Sequence, residues 1–281
     1  MNMEGSLLIG ERSIRVGAFI AVLLAMALWE LVAPRRHQTI GRGLRWPGNL
    51  GVVVLDTLLL RLVFPLAGVG VALAIEARGW GFFNAFDLPG WLAVALSVLV
   101  LDLAIYLQHV LFHAVPALWR LHRMHHSDLE VDVTTGVRFH PIEILLSMII
   151  KLGVVAAIGA PPVAVLMFEV LLNATSMFNH ANVTFAPAID RVARWLVVTP
   201  DMHRVHHSIV VDETNSNFGF NLPWWDRLFG TYRPEPSAGH LGMTPGVEQF
   251  REPGDLRLDR MLVQPFRGDD RSYPLGRRGK P

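Results

Sequence analysis

The sequence predicts an all-α integral membrane protein, and three observations support this prediction. Of the 281 residues, 52% are hydrophobic and only 17% are charged, and the mean hydropathy is +0.37, which is unusual for a soluble domain. Four apolar regions reach the length of about 20 residues that a membrane-spanning helix needs. Histidines are concentrated beside the later regions. We therefore predict a bundle of about four spans, plus or including a proline-broken hairpin, with a cytoplasmic, histidine-rich helical cap.

The first apolar region, residues 16–33, is predicted to be a retained membrane anchor that follows a leader of residues 1–15. More arginines follow this region than precede it, so the positive-inside rule places its C-terminal end in the cytoplasm. The following arginines are Arg35, Arg36, Arg42 and Arg45, and the preceding ones are Arg12 and Arg15.

The second apolar region, residues 51–75, is predicted to cross outward. It carries Asp56 and Arg61, which are expected to face the bundle or its inner edge because charges are costly in lipid. Residues 76–89 then form an external loop. The third region, residues 90–113, returns inward and ends with the first histidines.

The fourth region, residues 142–174, is interrupted by Pro161 and Pro162, which cannot lie inside one straight helix. It is predicted to be a helical hairpin of two half-spans or two full spans. Either hairpin returns the chain to the side that it left. The tail, residues 234–281, is rich in Pro, Gly and Arg and is predicted to be an extended or partly ordered cytoplasmic segment.

The chain contains no cysteine, which excludes disulfides, thiolate metal sites and cysteine nucleophiles. Any metal must therefore be held by His, Asp, Glu or water. A net charge of +1 gives no indication of a nucleic-acid partner.

Ten of the twelve histidines lie between residues 109 and 207. The motif HxxHH occurs twice, as LHRMHHS at residues 121–127 and as MHRVHHS at residues 202–208, and QHVLFH contains HxxxH. Residues three or four apart share one face of a helix, so each motif presents several imidazoles to one point. The ten histidines are His109, His113, His122, His125, His126, His140, His180, His203, His206 and His207.

The predicted topology brings these histidines to one end of the bundle, because the hairpin returns the second HxxHH motif to the side of the first. The three motifs alone supply eight histidines, more than one metal ion binds, so two metals are expected. Imidazole is a ligand for Zn, Fe, Cu and Ni, so the residue types alone do not identify the metal. Redox chemistry on a membrane substrate would favour iron.

The order HxxxH, HxxHH, HxxHH within a hydrophobic sequence resembles the fatty acid hydroxylase and sterol desaturase superfamily of membrane non-haem di-iron enzymes. The stretches DLAIYLQHVLFH, LWRLHRMHHSD, RFHPIE, FNHANV, TPDMHRVHHS and NFGFNLPWWDRLFGTY are similar to its bacterial sterol-desaturase-like branch. The resemblance covers residues 90–232. It implies membrane spans at residues 16–89, a catalytic domain at residues 90–233 and a place in the bacterial inner membrane.

The resemblance also implies an oxidoreductase with two irons and O₂ that hydroxylates or desaturates a lipid C–H bond. Electrons would come from an external ferredoxin, cytochrome or NAD(P)H reductase. Ser176 stands where some fatty-acid 2-hydroxylase relatives have a histidine, which leaves one position to His140, water or nothing. The implied ligands are His109, His113, His122, His125, His126, His203, His206 and His207, with His180 as a lone ligand before the last motif.

Two other classes remain open at this stage. A metal transporter would spread ionisable residues through the membrane depth, whereas these histidines concentrate at one end. A zinc-dependent membrane hydrolase would need a carboxylate base as in HExxH, which neither HxxHH motif contains.

Charged residues near the motifs are expected to have structural roles. Arg123 and Arg204, which each follow the first histidine of an HxxHH motif, are expected to pair with Asp128 and Asp201, in preference to the alternative of lipid phosphate. Several aspartates are candidates for fixing the imidazole tautomers. These are Asp102, Asp201, Asp212 and Asp226.

Overall fold

The computed structural model of the protein describes residues 3–86, 88–268 and 274–275. In these residues the regular structure is helical and contains no strand longer than an isolated bridge, so the predicted all-α class is confirmed. In chain order the α-helices are α1 (Met3–Val32), α2 (Arg42–Val63), α3 (Ala67–Glu76), α4 (Gly90–Ala114), α5 (Pro116–His126), α6 (Pro141–Ile158), α7 (Pro162–His180), α8 (Pro187–Ala193), α9 (Pro200–His206), α10 (Val211–Thr214), α11 (Trp224–Leu228), α12 (Gly239–Gly242) and α13 (Leu258–Val263). Short 3₁₀ turns lie at Phe82–Ala85, Thr135–Val137, Pro253–Leu256 and Gln264–Phe266.

Five segments of this fold are long and apolar enough to cross a membrane. Many of their large apolar side chains point outward, and Leu28 and Leu62 are 62% and 79% exposed, as expected for surfaces that face lipid. The protein is therefore an integral membrane protein. The five segments are Gly10–Val32, Arg42–Glu76, Gly90–Ala114, Pro141–Ile158 and Pro162–His180.

The predicted second span, residues 51–75, lies within the candidate segment Arg42–Glu76, which consists of two helices. Helix α2 ends at Val63 and α3 begins at Ala67, which has a φ of +51°. Pro65 explains the break, since it lacks a backbone N–H and its ring clashes with the carbonyl four residues earlier in a continuous helix. Asp56 is buried as expected, whereas Arg61 is exposed.

The predicted hairpin is confirmed. Helix α6 ends at Ile158, and Gly159 follows in the left-handed conformation with φ +67° that commonly ends a helix. Helix α7 starts with Pro162 in its first turn, where the missing N–H costs nothing. The returning α7 packs against α1, α3 and α4, and it brings His180 to the cap.

Of the two alternatives predicted for the C-terminal segment, extended or partly ordered, the structure shows order as far as residue 268. Met261 is fully buried against Val52 of α2 and Met124 of α5. The backbone carbonyl of Gln264 accepts a hydrogen bond from the Arg123 guanidinium at 2.6 Å. The segment therefore covers one side of the cap, and the rest of the predicted tail, apart from residues 274–275, lies outside the described residues.

Candidate metal centre

Nine buried histidines form two adjacent groups in the cap. Within each group the ligand nitrogens lie within 4.8 Å of one another. The first group, the five-histidine group, consists of His109, His113, His122, His126 and His206. The second, the four-histidine group, consists of His125, His180, His203 and His207.

Each HxxHH motif contributes to both groups. His122 and His126 of α5 are four residues apart on one helix face, so both enter the five-histidine group, while His125 faces the other group. The second motif divides in the opposite sense, because His203 and His207 enter the four-histidine group and His206 enters the first. Each motif therefore contributes two histidines to one group and one histidine to the other.

Both HxxHH motifs lie on short helices that begin with a proline. Helix α5 begins at Pro116 directly after α4, which carries His109 and His113 one turn apart. Helix α9 begins at Pro200 and is capped by the Thr199 side chain. These short helices hold the imidazoles in fixed directions over the end of the bundle.

Backbone carbonyls determine the tautomer of four of the histidines. A carbonyl oxygen only accepts hydrogen bonds, so an Nδ1 beside one carries the proton and leaves a free electron pair on Nε2. The Nδ1-to-oxygen contacts are His109 to Phe218 at 2.7 Å, His125 to Arg138 at 3.2 Å, His180 to Ser176 at 2.7 Å and His206 to Ser216 at 2.7 Å.

The free Nε2 atoms point at one another. His125 Nε2 and His180 Nε2 are 3.1 Å apart, and neither has a hydrogen to donate, so the contact is repulsive unless a cation lies between them. The Nε2 atom of His206 is buried without a hydrogen-bond partner among the described residues. Nitrogens that bind one ion at about 2.0–2.1 Å lie about 3 Å apart. The residues thus fit metal ions bound by imidazole nitrogens.

Glu143 is the carboxylate partner of this centre. Its Oε1 lies 2.6 Å from His122 Nδ1, an arrangement that orients a metal-binding imidazole. Glu143 lies in the stretch RFHPIE, where no motif spacing marks it as a functional residue. No helical spacing relates it to His122, so the contact could be found only in the folded protein.

Burial keeps the imidazoles neutral, which is the form that binds metal. It lowers the pKa of His122 to about 3. Burial and neighbouring histidines also hold the pKa of five others well below the ordinary value of 6.5. These are His125, His126, His203, His206 and His207.

His140 lies outside both groups. Its Nδ1 accepts the Ile142 N–H at 3.2 Å as the N-terminal cap of α6, and its Nε2 lies 3.2 Å from the Leu262 carbonyl. Both ring nitrogens are engaged, so the structure does not bring His140 to a metal position.

The expected roles of the aspartates and arginines are corrected in part. Across the described residues, none of the four candidate aspartates hydrogen-bonds to a histidine of either group, because backbone carbonyls occupy that role. Arg204 pairs with Asp201 as expected. Arg123 instead donates to carbonyls of the C-terminal segment, and Asp128 binds Arg45.

A cavity of about 570 Å³ extends from the centre into the bundle between helices α1, α2, α4, α6 and α7. His109 and His122 of the five-histidine group form part of its wall. Aromatic side chains surround them, namely Phe112, Phe139 and Phe220. An apolar chain could therefore reach the metal centre from within the bundle.

The fold and the site define a helical membrane protein with a buried, all-histidine candidate centre for two metal ions. The family profile for fatty acid hydroxylase matches residues 94–231, which contain all nine histidines. This region belongs to the fatty acid hydroxylase family, and the predicted resemblance is confirmed.

Several curated proteins are similar to the chain. The ornithine lipid hydroxylase of Rhizobium tropici is 32% identical over 223 residues, which are 77% of this chain and 63% of that protein. The alkylglycerol monooxygenase of Xenopus tropicalis is 27% identical over 204 residues, 69% of this chain and 43% of that protein. The cholesterol 25-hydroxylase of Rattus norvegicus is 27% identical over 151 residues, 53% of this chain and 49% of that protein. The chain thus spans less than two thirds of each of these relatives. No solved structure matches it.

Proposed function

We propose that this protein is a membrane-bound, O₂-dependent di-iron oxidase that hydroxylates or desaturates a C–H bond of a lipid. The observation that carries this proposal is the position of two histidine groups at the end of an apolar cavity inside a membrane bundle. The names of the similar proteins, which are lipid hydroxylases and monooxygenases, support it.

The five-histidine and four-histidine groups would each hold one iron ion. With O₂ and two electrons, the irons would supply the oxidising power that removes hydrogen from an unactivated C–H bond. The backbone carbonyls of Phe218, Arg138, Ser176 and Ser216 orient four of the rings through Nδ1, and Glu143 orients His122. Because these partners are buried, the ligand set is held in place before metal binds.

The cavity wall would position the substrate and exclude water. Ile105, Phe112 and Phe220 bring apolar surface beside His109, so a lipid chain replaces water at the reacting end of the cavity. Two electrons per turnover would come from a separate ferredoxin, cytochrome or NAD(P)H reductase. We further propose that the catalytic part comprises residues 90–233 and that the cap faces the cytoplasm of a bacterial inner membrane.

The test is to replace one histidine in each group. His203→Ala leaves three histidines in its group, and His206→Ala leaves four in the other. We expect both variants to lose lipid oxidation by at least about tenfold, and His203→Ala to lose iron more completely. Iron is counted by mass spectrometry of the purified protein, and oxidised lipids are measured in extracts of the producing cells.

His140→Ala is the matched control, because His140 is a helix cap outside both groups. It should retain its iron. The proposal fails if His203→Ala and His206→Ala both keep iron and lipid oxidation. Zinc in place of iron, without oxygen consumption in the presence of a reductant, would instead point to a hydrolase.

A further inference from the structure

Two short helices of the cap, α8 and α11, carry large apolar side chains on their outer surface. Ile189 and Val192 lie three residues apart on one face of α8, and Leu196 follows four residues later. The seven side chains of this surface are between 46% and 69% exposed, so none of the described elements covers them. We call them the α8–α11 patch, which consists of Ile189, Val192, Trp195, Leu196, Trp224, Leu228 and Phe229.

Direct contacts join the two helices into one surface. The indole N–H of Trp224 donates to the Trp195 carbonyl at 2.7 Å. The Arg227 guanidinium lies over the Trp195 ring, 3.9 Å from its centroid, and donates to the Arg194 carbonyl at 3.1 Å. A contiguous surface of exposed large apolar side chains marks a site that meets another protein or a membrane.

The contacts of α11 place one end of the patch beside the outer surface of α4. The Phe229 ring stacks on Tyr106 of α4 with 5.4 Å between the ring centroids. Leu107, next to Tyr106, and Leu111, one turn further along α4, are both exposed. The outer surface of this span is therefore still apolar at the level of Phe229 and beyond it, as expected where a span faces lipid.

The contacts before α8 place the other end of the patch in the same way. Phe185, two residues before α8, packs against Trp29 of α1 with 5.0 Å between the ring centroids. Leu31 and Val32, which follow Trp29 closely, remain exposed. The chain therefore enters α8 at a level where α1 is still apolar on its outside, and the patch adjoins the apolar outer surface of two spans.

The patch also has the composition of a membrane interface. Trp195 and Trp224 belong to it, and Trp is enriched where acyl chains meet headgroups. Arg191 is exposed on α8, and Arg227 lies between the rings of Trp195 and Tyr232, 4.0 Å from the centroid of the Tyr232 ring. Guanidinium groups beside such aromatic side chains can pair with lipid phosphates.

We infer that the α8–α11 patch is immersed in the interfacial region of the bilayer and holds the cap against the membrane. Lipid fits this surface better than a soluble partner protein, because the patch adjoins side chains of α1 and α4 that themselves face lipid. His109 is one turn from Tyr106 on α4, so the metal centre lies near the depth of the patch, at the boundary between acyl chains and headgroups. This position of the cap in the membrane does not depend on which reaction the centre catalyses.

Because the chain has no cysteine, a single label can be placed at a chosen residue. Val192→Cys and Leu228→Cys are labelled with the fluorophore bimane in the full-length, metal-loaded protein, which is reconstituted in nanodiscs. Emission is compared between phospholipids with brominated and unbrominated acyl chains, and iodide serves as the quencher in water. We expect brominated chains to remove about half or more of the emission at both positions, because interfacial helices lie about 5–10 Å deep at the acyl boundary. Iodide should remove little of it.

Leu28→Cys is the lipid-facing reference, because Leu28 lies in α1 and is largely exposed. Asp259→Cys is the water-facing control, because Asp259 is an exposed carboxylate of α13. Metal content equal to that of the unsubstituted protein shows that each variant is folded. Quenching by iodide at Val192→Cys and Leu228→Cys, as at Asp259→Cys, would overturn the inference. Protection from both quenchers would overturn it as well, since a second copy of the chain or a partner protein would then cover the patch.

Discussion

The histidines of this centre are oriented by the backbone more than by side chains. Phe218, Arg138, Ser176 and Ser216 contribute carbonyl oxygens to Nδ1 atoms, and a carbonyl survives any substitution of its side chain. Side-chain changes at these four positions therefore leave the carbonyl that orients the imidazole in the chain. Two histidines have side-chain partners instead: the Glu143 carboxylate contacts His122, and Asn215 Oδ1 lies 3.2 Å from His113 Nδ1.

Asp128 is a buried carboxylate of the cap that lies beside Arg45 and Arg138. It accepts a bond of 2.8 Å from Arg45, and both side chains are completely buried. Asp128→Asn would leave the guanidinium of Arg45 with only Asp132 as a counterion. We expect the free energy of unfolding to fall by about 3–5 kcal/mol, the range for breaking a buried ion pair. Denaturant titration in detergent measures this change.

The role of Asp128 can also be tested through the pH dependence of the free energy of unfolding. Burial raises the pKa of Asp128, but Arg45 and Arg138 outweigh burial and leave the pKa below its ordinary 3.8. The unfolded chain therefore takes up the proton first, and the contribution of Asp128 is complete above about pH 4 and lost as the pH falls further. Asp128→Asn should remove this part of the acid sensitivity.

Asp259 is the control for this prediction, because it forms an ion pair with Arg257 in which both side chains are largely exposed. Asp259→Asn should leave the unfolding midpoint unchanged, since exposed pairs contribute little. Equal effects of the two substitutions would contradict the role assigned to Asp128.

At the scale of elements, the 3₁₀ turn at Thr135–Val137 packs directly on α7. The hydroxyl of Ser176 donates to the Gly136 carbonyl at 2.5 Å, and a Cβ added to Gly136 would lie 2.4 Å from the Ser176 carbonyl oxygen. His180 is one turn further along α7 and belongs to the four-histidine group. The spacing between turn and helix therefore controls the position of a candidate ligand.

Gly136→Ala should push the turn away from α7. We expect a loss of about 1–3 kcal/mol in the free energy of unfolding, as for other overpacked sites, together with a loss of iron from the four-histidine group. Gly153→Ala is the matched control, because Gly153 lies in α6 with open space around it, and it should be neutral or slightly stabilising. Full iron content in Gly136→Ala would contradict the prediction.

At the scale of the whole molecule, metal binding and stability should be linked. The facing Nε2 atoms of the buried histidines repel one another without a cation, and the unfolded chain has no preformed site. Removing metal with a chelator should therefore lower the thermal midpoint. A site held at a free metal concentration 100 times its Kd contributes about 2.7 kcal/mol.

Differential scanning fluorimetry of the metal-loaded and chelated protein measures this shift. Restored ferrous iron should recover the midpoint, whereas magnesium should not, because it prefers oxygen ligands. An unchanged midpoint in protein shown to be free of metal would contradict the linkage.

Much of this architecture was predictable because it depends on local patterns. Long apolar regions predict helices that cross a membrane, and Pro161 and Pro162 predict the turn of the hairpin. The break between α2 and α3 follows from the same rule, because Pro65 lies between the two helices. The histidine spacing likewise predicts which imidazoles share a helix face.

The sequence by itself thus determined the helical class, the hairpin and the supply of imidazoles, since these depend on residues a few positions apart. Only the tertiary structure decided how the nine histidines divide into five and four, and that Phe218 orients His109 across 109 residues. It also decided that the C-terminal segment covers the cap and that Glu143 stands beside His122. Helical periodicity fixes a face but not the neighbour that the face meets, and that neighbour is set by packing between distant parts of the chain.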